Sequence, residues 1–237
     1  MNSNPELSRE VRYVSTLDGL TVEEEVIRRK VVRTADLLEA ATLKDGISTP
    51  VLPQGTIRYE SDGAKSVVAI QVRPSITTIQ VGTEEYTGVL PSRVYIIRFN
   101  HNQYRSTHIY MAKSAITDVS DTLSYSFLPN QYPDGLSCDG SVTQEVHVLP
   151  SVAAKANYVV DNMESGIYNN DLIGYKENWP SDITLSEGRS LTGYFAAWQT
   201  WSKGDSGVPS LDRLSQLNLS APSNGELTLA RVMNNAL

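Results

Sequence analysis

The chain has 237 residues, 40% hydrophobic and 20% charged, the balance of a folded globular protein with a core of its own. Twenty Lys and Arg against 27 Asp and Glu leave a net charge of −7, which argues against a phosphate-neutralising surface and so against nucleic acid as a partner. Cys138 is the only cysteine, which excludes an intrachain disulfide framework, and with three histidines (His101, His108, His147) it offers little from which to build a zinc site.

Read in chain order, residues 11–27 (VRYVSTLDGLTVEEEVI) predict two strands around Asp18-Gly19, a pair suited to a tight hairpin turn. Glu23, Glu24 and Glu25 followed by Arg28, Arg29 and Lys30 read as a solvated, self-pairing face. TADLLEAATL, residues 34–43, predicts a short amphipathic helix, with Asp36 and Glu39 near its start. Between residues 54 and 113 the pattern changes to short β-rich runs, GTIRYES, SVVAIQV, TTIQV, RVYIIRF and THIYMAK. Asp62-Gly63, Arg73-Pro74 and Asn100-His101-Asn102 separate them, which predicts an antiparallel meander with RVYIIRF its most buried strand.

SYSFLPNQYPDGLSCDGS, residues 124–141, has two prolines, two glycines and no periodicity, and reads as an irregular loop long enough to be functional. Beyond Pro150, Val152, Ala156, Val159, Val160 and Met163 share one face of a helix that stops near Gly166. Leu191, Tyr194, Phe195 and Trp198 share a second helical face, and Leu211, Leu214 and Leu217 a third after Pro209. Ser223 and Glu226 have capping-box spacing before a last helix, ELTLARVMNNAL. Trp179, Trp198 and Trp201 read as core more than as an aromatic binding patch. No run approaches the ~18 apolar residues of a membrane-spanning helix, and MNSNPELSRE lacks a signal-peptide pattern, so the expectation is a cytoplasmic protein with no membrane partner.

The segment around the cysteine resembles the ubiquitin-conjugating (E2) fold, and more closely its divergent bacterial and phage-borne relatives. In that family a His-Pro-Asn tripeptide precedes the catalytic cysteine by a fixed separation. Here Leu128-Pro129-Asn130 is followed by QYPDGLS and Cys138, and the separation from Asn130 to Cys138, eight positions, is the same. A helix, a meander, this loop and another helix is also the family's element order. The resemblance covers roughly residues 34 to 175. It implies an α+β fold: a UBC-like antiparallel meander with flanking helices over 34–180, an N-terminal β-arm over 1–33 and a C-terminal helical extension over 181–237. It further implies a thioester carrier on Cys138, with Asn130 as loop organiser or oxyanion donor. Its partners would be a ubiquitin-like modifier, an E1-like activating enzyme and an amine acceptor, and it would need no cofactor. Leu128 departs from the motif histidine, and the tryptophan usual soon after the cysteine is missing.

The chemistry is coherent apart from the resemblance. A thioester carrier needs one accessible thiol and a nearby donor for the oxyanion that forms when an amine attacks. Tyr132 and Asp139 flank the thiol as supporting residues. Asp134 and Asp139 surround it with negative charge, which suits a thiol loaded by a dedicated partner. His147, within ten residues of Cys138, is the better placed histidine for a base, whereas His108 in THIYMAK reads as a surface or core residue. The alternative is a non-catalytic module of the same fold, used to contact neighbouring structural subunits, as in a phage virion or assembly component.

Gly204-Asp205-Ser206-Gly207-Val208-Pro209 resembles the GDSGGP signature of trypsin-like serine proteases, with His101 and Asp118 or Asp121 as imaginable partners. The helical pattern on both sides favours a simple Gly/Ser/Asp turn.

Overall fold

The computed structural model describes residues 11–16, 19–24, 28–32, 52–138, 140, 145–165, 167–169, 172, 174–185, 190–219 and 226–234. The chain forms two compact units, residues 1–50 and 51–237.

The first unit holds an antiparallel sheet of order β1-β2-β3, with β1 Val11–Thr16, β2 Gly19–Glu24 and β3 Arg28–Val32. The expected arm therefore has a third strand, formed by the basic run. The register sets Glu23 opposite Arg29 and Glu24 opposite Arg28. The helix expected over 34–43 and the turn residue Asp18 lie outside the described residues.

The second unit is mixed α+β, centred on a five-stranded antiparallel sheet of order β10-β9-β8-β5-β4. Its strands are β4 Thr56–Ser61, β5 Lys65–Val72, β8 Ser92–Asn100, β9 Gln103–Ala112 and the short β10 Ser124–Tyr125. β5 and β8 are near-continuous apolar runs because both faces of the sheet are covered. Val68, Ile70, Tyr95, Ile97 and Ile109 pack against Val152, Ala156, Val159 and Val160 of α1 (Val152–Ser165). On the other face Val67, Ala69, Val94, Ile96 and Ala112 pack against Leu229, Val232 and Met233 of the last helix (Leu229–Asn234). The β8–β9 turn uses two left-handed residues, His101 (φ 48°) and Asn102 (φ 60°), the backbone that a two-residue hairpin with the strands' own twist requires. Lys155 Nζ donates to Asn102 O (2.6 Å), fixing α1 to that turn.

Between β5 and β8 the chain leaves this sheet. β6 (Ser75–Val81) and β7 (Glu84–Leu90) form a hairpin, joined by β11 (Ile167–Tyr168) parallel to β6, in a separate three-stranded sheet. This corrects the single-meander expectation: TTIQV belongs to the second sheet, and the meander proper is β4, β5, β8 and β9. After the short α2 (Gly174–Glu177), helix α3 (Leu191–Lys203) lies along β7.

The side chains of α3 occupy the place of a missing neighbouring strand. Thr87 N–H donates to Gln199 Oε1 (2.8 Å), Val89 N–H to Ser202 Oγ (3.0 Å), and Trp198 Nε1–H to Val89 O (2.8 Å). An exposed strand edge is thereby closed. Gly88 makes the approach possible, since a Cβ there would lie 2.6 Å from Ser202 Oγ and 2.8 Å from Trp198 Cε2.

Around α3 an aromatic core gathers Tyr86, Phe127, Tyr194, Phe195 and Trp198, with Trp179 half-buried against it. Trp179 meets Phe127 edge-on at 5.5 Å and Tyr194 at 4.7 Å. Trp198 is core, as the helical spacing of Tyr194, Phe195 and Trp198 predicts, while Trp179 and Trp201 are partly buried against it. Leu211–Gln216 forms a 3₁₀ helix capped by Ser210, tighter than the expected α-helix. The last helix, labelled α4 below, has Thr228 before it, whose Oγ1 accepts the Arg231 N–H (3.3 Å), while Glu226 accepts the Thr122 hydroxyl (2.8 Å). Glu226 therefore faces Thr122, not its own helix start; Ser223 lies outside the described residues.

Arg93, 1% exposed, makes a two-pronged pair with Glu164 of α1 (Nε to Oε1 2.8 Å, Nη2 to Oε2 2.7 Å). Arg93 Nη1 donates to Pro91 O (3.0 Å) and the Tyr95 hydroxyl to Glu164 Oε1 (2.5 Å), so the pair's remaining capacity is used.

Candidate functional site: the Cys138 loop

The loop after β9 is more ordered than its composition suggests. Ser124–Tyr125 pairs with Met111 and Tyr110 as β10. Ser126 Oγ then accepts the Leu128 N–H (3.1 Å), turning the chain so that Phe127 (0% exposed) and Leu128 (1%) enter the aromatic core. Leu128 occupies an apolar slot, and that slot accounts for its side chain.

Beyond Pro129 the chain forms a small hairpin. Asn130 is left-handed (φ 59°), a conformation Asn tolerates better than most residues. Tyr132 N–H donates to Leu136 O (2.8 Å) and Cys138 N–H to Asn130 O (2.7 Å), so Asn130 and Cys138 close the hairpin's open end. Ile109 N–H donates to Gly135 O (2.9 Å) and Ser137 N–H to Thr107 O (2.8 Å), which adds the returning limb to the edge of β9 beyond β10. Gly135 (φ 87°) is required here twice, by its backbone angle and because a Cβ would sit 3.0 Å from Ile109 O. This corrects the reading of 124–141 as irregular.

Sequence reasoning missed the residue that holds the loop together. Asn178, 6% exposed, donates its side-chain amide to Ser126 O (3.1 Å) and Pro133 O (3.0 Å), tying the loop's two limbs. The only local signal is a polar residue wedged before Trp179-Pro180.

Cys138 is exposed. Asn130 Oδ1 accepts the Asn169 N–H (3.1 Å), a bond between the hairpin and the segment that follows α1. Tyr132 is exposed at the hairpin tip, and Asp134 Oδ1 accepts the Leu136 N–H (3.1 Å). Asp139 lies outside the described residues. His147 is exposed with Nδ1 3.0 Å from Gln103 Oε1, at the start of β9, and no described contact joins it to Cys138.

His108 is the histidine whose strand position borders the loop, paired with Leu136. It is 9% exposed and stacks on Tyr110 at 6.2 Å. Burial, reinforced by the Arg98 charge and opposed by Asp134, pushes its pKa down to about 4, so it is neutral at pH 7. Burial also lowers Arg98 and raises Tyr110. Among the described residues no cluster of three His, Cys, Asp or Glu is placed to hold a metal ion.

The protease-like segment is a 3₁₀ turn, Gly204–Ser206, closed by left-handed Gly207 (φ 73°). Ser206 Oγ lies 2.8 Å from Lys203 O and 2.9 Å from Val208 O, within its own turn. Asp118 and Asp121 accept backbone N–H groups of their own loop, and His101 sits on Asn100 at the β8–β9 turn. No described contact joins these groups into a triad. Compared with known protein families, characterised proteins and solved structures, the chain matches none. No helix among the described residues is long and apolar enough to cross a membrane.

Proposed function

We propose that the protein is an acyl carrier in the manner of the ubiquitin-conjugating family: it accepts the C-terminal acyl group of a ubiquitin-like modifier as a thioester on Cys138 and passes it to an amine. The observation that carries this reading is an exposed thiol at the mouth of a hairpin, closed by the Cys138 N–H to Asn130 O bond. Cys138 thiolate would displace the thiolate of an activating partner from the acyl carbon. An amine would then attack the same carbon, lose a proton and release the Cys138 thiolate. The four-strand meander followed by this loop and then α1 also supports a UBC-like fold, and the exposed setting supports access by large partners.

A second reading, a non-catalytic module of related fold, draws on one observation: Leu128 is buried where a polar motif residue would serve the loop. Cys138→Ser separates the two. An acyl carrier loses function with its unfolding midpoint unchanged, whereas a binding module keeps both.

A further inference from the structure

Among the described residues the buried side-chain atoms without a hydrogen-bond partner are Ser92 Oγ, both amide atoms of Gln131, Arg98 Nε and His108 Nδ1. The last two lie close to the Cys138 hairpin on one face of the main sheet. Such atoms ordinarily destabilise the fold unless something pairs with them. Arg98 and His108 are near neighbours, since β8 and β9 set Arg98 opposite Ser106 and His108 follows two residues on, on the same face.

The same register leads to the thiol. His108 pairs with Leu136 and the Thr107 carbonyl receives the Ser137 N–H, so the next step sets Cys138 opposite Ser106. Ser137 donates its hydroxyl to Met163 Sδ (3.3 Å), on the face covered by α1. Strand alternation therefore turns Leu136 and Cys138 to the opposite face, the one that carries Arg98 and His108. Two inter-strand spacings, about 10 Å, separate the backbones of Arg98 and Cys138. An arginine side chain and a short carboxylate together span that gap. Over this end of the face Asp134 is the one described carboxylate acting electrostatically on both groups, and it is exposed at the hairpin tip.

We infer that Arg98 and His108 form a subsite for a carboxylate beside Cys138. The guanidinium supplies charge and a directed N–H, and the His108 ring, in the tautomer with hydrogen on Nδ1, supplies a second donor. For its purpose the inference rests on the acyl-carrier reading: the acyl group arrives as a thioester, and the subsite would hold a carboxylate side chain of the incoming protein beside the thiol. The subsite itself can be tested without any partner.

The test compares alkylation of Cys138 by iodoacetate and by iodoacetamide, reagents that differ in the carboxylate, in the native protein and in denaturant. The ratio of the two rates, native over denatured, is expected to rise about five- to tenfold, to fall to one in Arg98→Met, and to rise further in Asp134→Asn. Free acetate is expected to slow iodoacetate and to leave iodoacetamide unaffected, a readout that needs no variant to fold. A native ratio at or below the denatured one, or a ratio unchanged in a folded Arg98→Met, overturns the subsite and leaves bound water as the partner of both atoms. The iodoacetamide rate alone reports whether the thiol is accessible, so failure of the acyl-carrier reading shows separately, as strong protection from the neutral reagent.

Discussion

Replacing Gly88 with alanine tests the closure of the β7 edge. The new Cβ would stand 2.6 Å from Ser202 Oγ and 2.8 Å from Trp198 Cε2 and Cζ2, whereas carbon atoms pack best at about 3.5–4.0 Å. Trp198 is 0% exposed, with Phe195 edge-on at 5.7 Å, so its ring has little room to withdraw. Overpacking of this kind costs about 1–3 kcal/mol. Moving the ring or the hydroxyl also strains the Trp198 and Ser202 bonds to Val89, at about 1 kcal/mol each. Restricting the unfolded chain returns about 0.4–1 kcal/mol. The net expectation is a loss of about 2–4 kcal/mol, read from urea unfolding followed by tryptophan fluorescence. Trp198→Phe removes the two crowded carbons, so combining it with Gly88→Ala should cost less than the sum of the single changes. A Gly88→Ala protein within about 0.5 kcal/mol of wild type, the range of ordinary surface substitutions, would refute the close-approach argument.

Two further outcomes follow from buried polar groups. The depressed His108 pKa means that the unfolded chain takes up a proton near pH 6.5 that the folded chain refuses until about pH 4. Its stability contribution is therefore complete above pH 6.5 and declines as pH falls towards 4, by about 2–3 kcal/mol. The stability advantage of wild type over His108→Gln, measured by denaturant titration at several pH values, should shrink by that amount over this window; a constant difference contradicts the assignment. Glu164→Ala strands the Arg93 charge at 1% exposure and should cost about 3–5 kcal/mol, while Arg93→Met with Glu164→Leu should recover part of the loss in the same titration.

The elements legible in the sequence are those whose periodicity is dictated by burial on a single pattern. RVYIIRF reads as a central strand because both its faces meet helices, and Val152, Ala156, Val159 and Val160 read as one face of α1 because they meet one sheet. Alternation along TTIQV also reads correctly as a strand, but a period of two says nothing about which sheet a strand joins. β5 pairs with β8 while β6 pairs with β7 and β11, long-range choices that the period does not encode, and Trp198, Gln199 and Ser202 cover the remaining edge of β7. Of the candidate site, spacing marks only the eight positions between Asn130 and Cys138; that they form a closed hairpin is what the reading of an irregular loop missed. The site was illegible where long-range packing sets it. Asn178 reaches Ser126 across 52 positions, and His108 borders the loop through strand pairing, whereas His147, nearer in sequence, turns to Gln103.

The most direct test of the acyl-carrier proposal is the intact mass of the protein isolated from the cells that make it, without added thiol. The account predicts a fraction carrying extra mass on Cys138 that hydroxylamine at neutral pH removes, and, for Cys138→Ser, an adduct that resists thiols as an oxygen ester does. A Cys138 found only as the free thiol or as a disulfide untouched by hydroxylamine would contradict it.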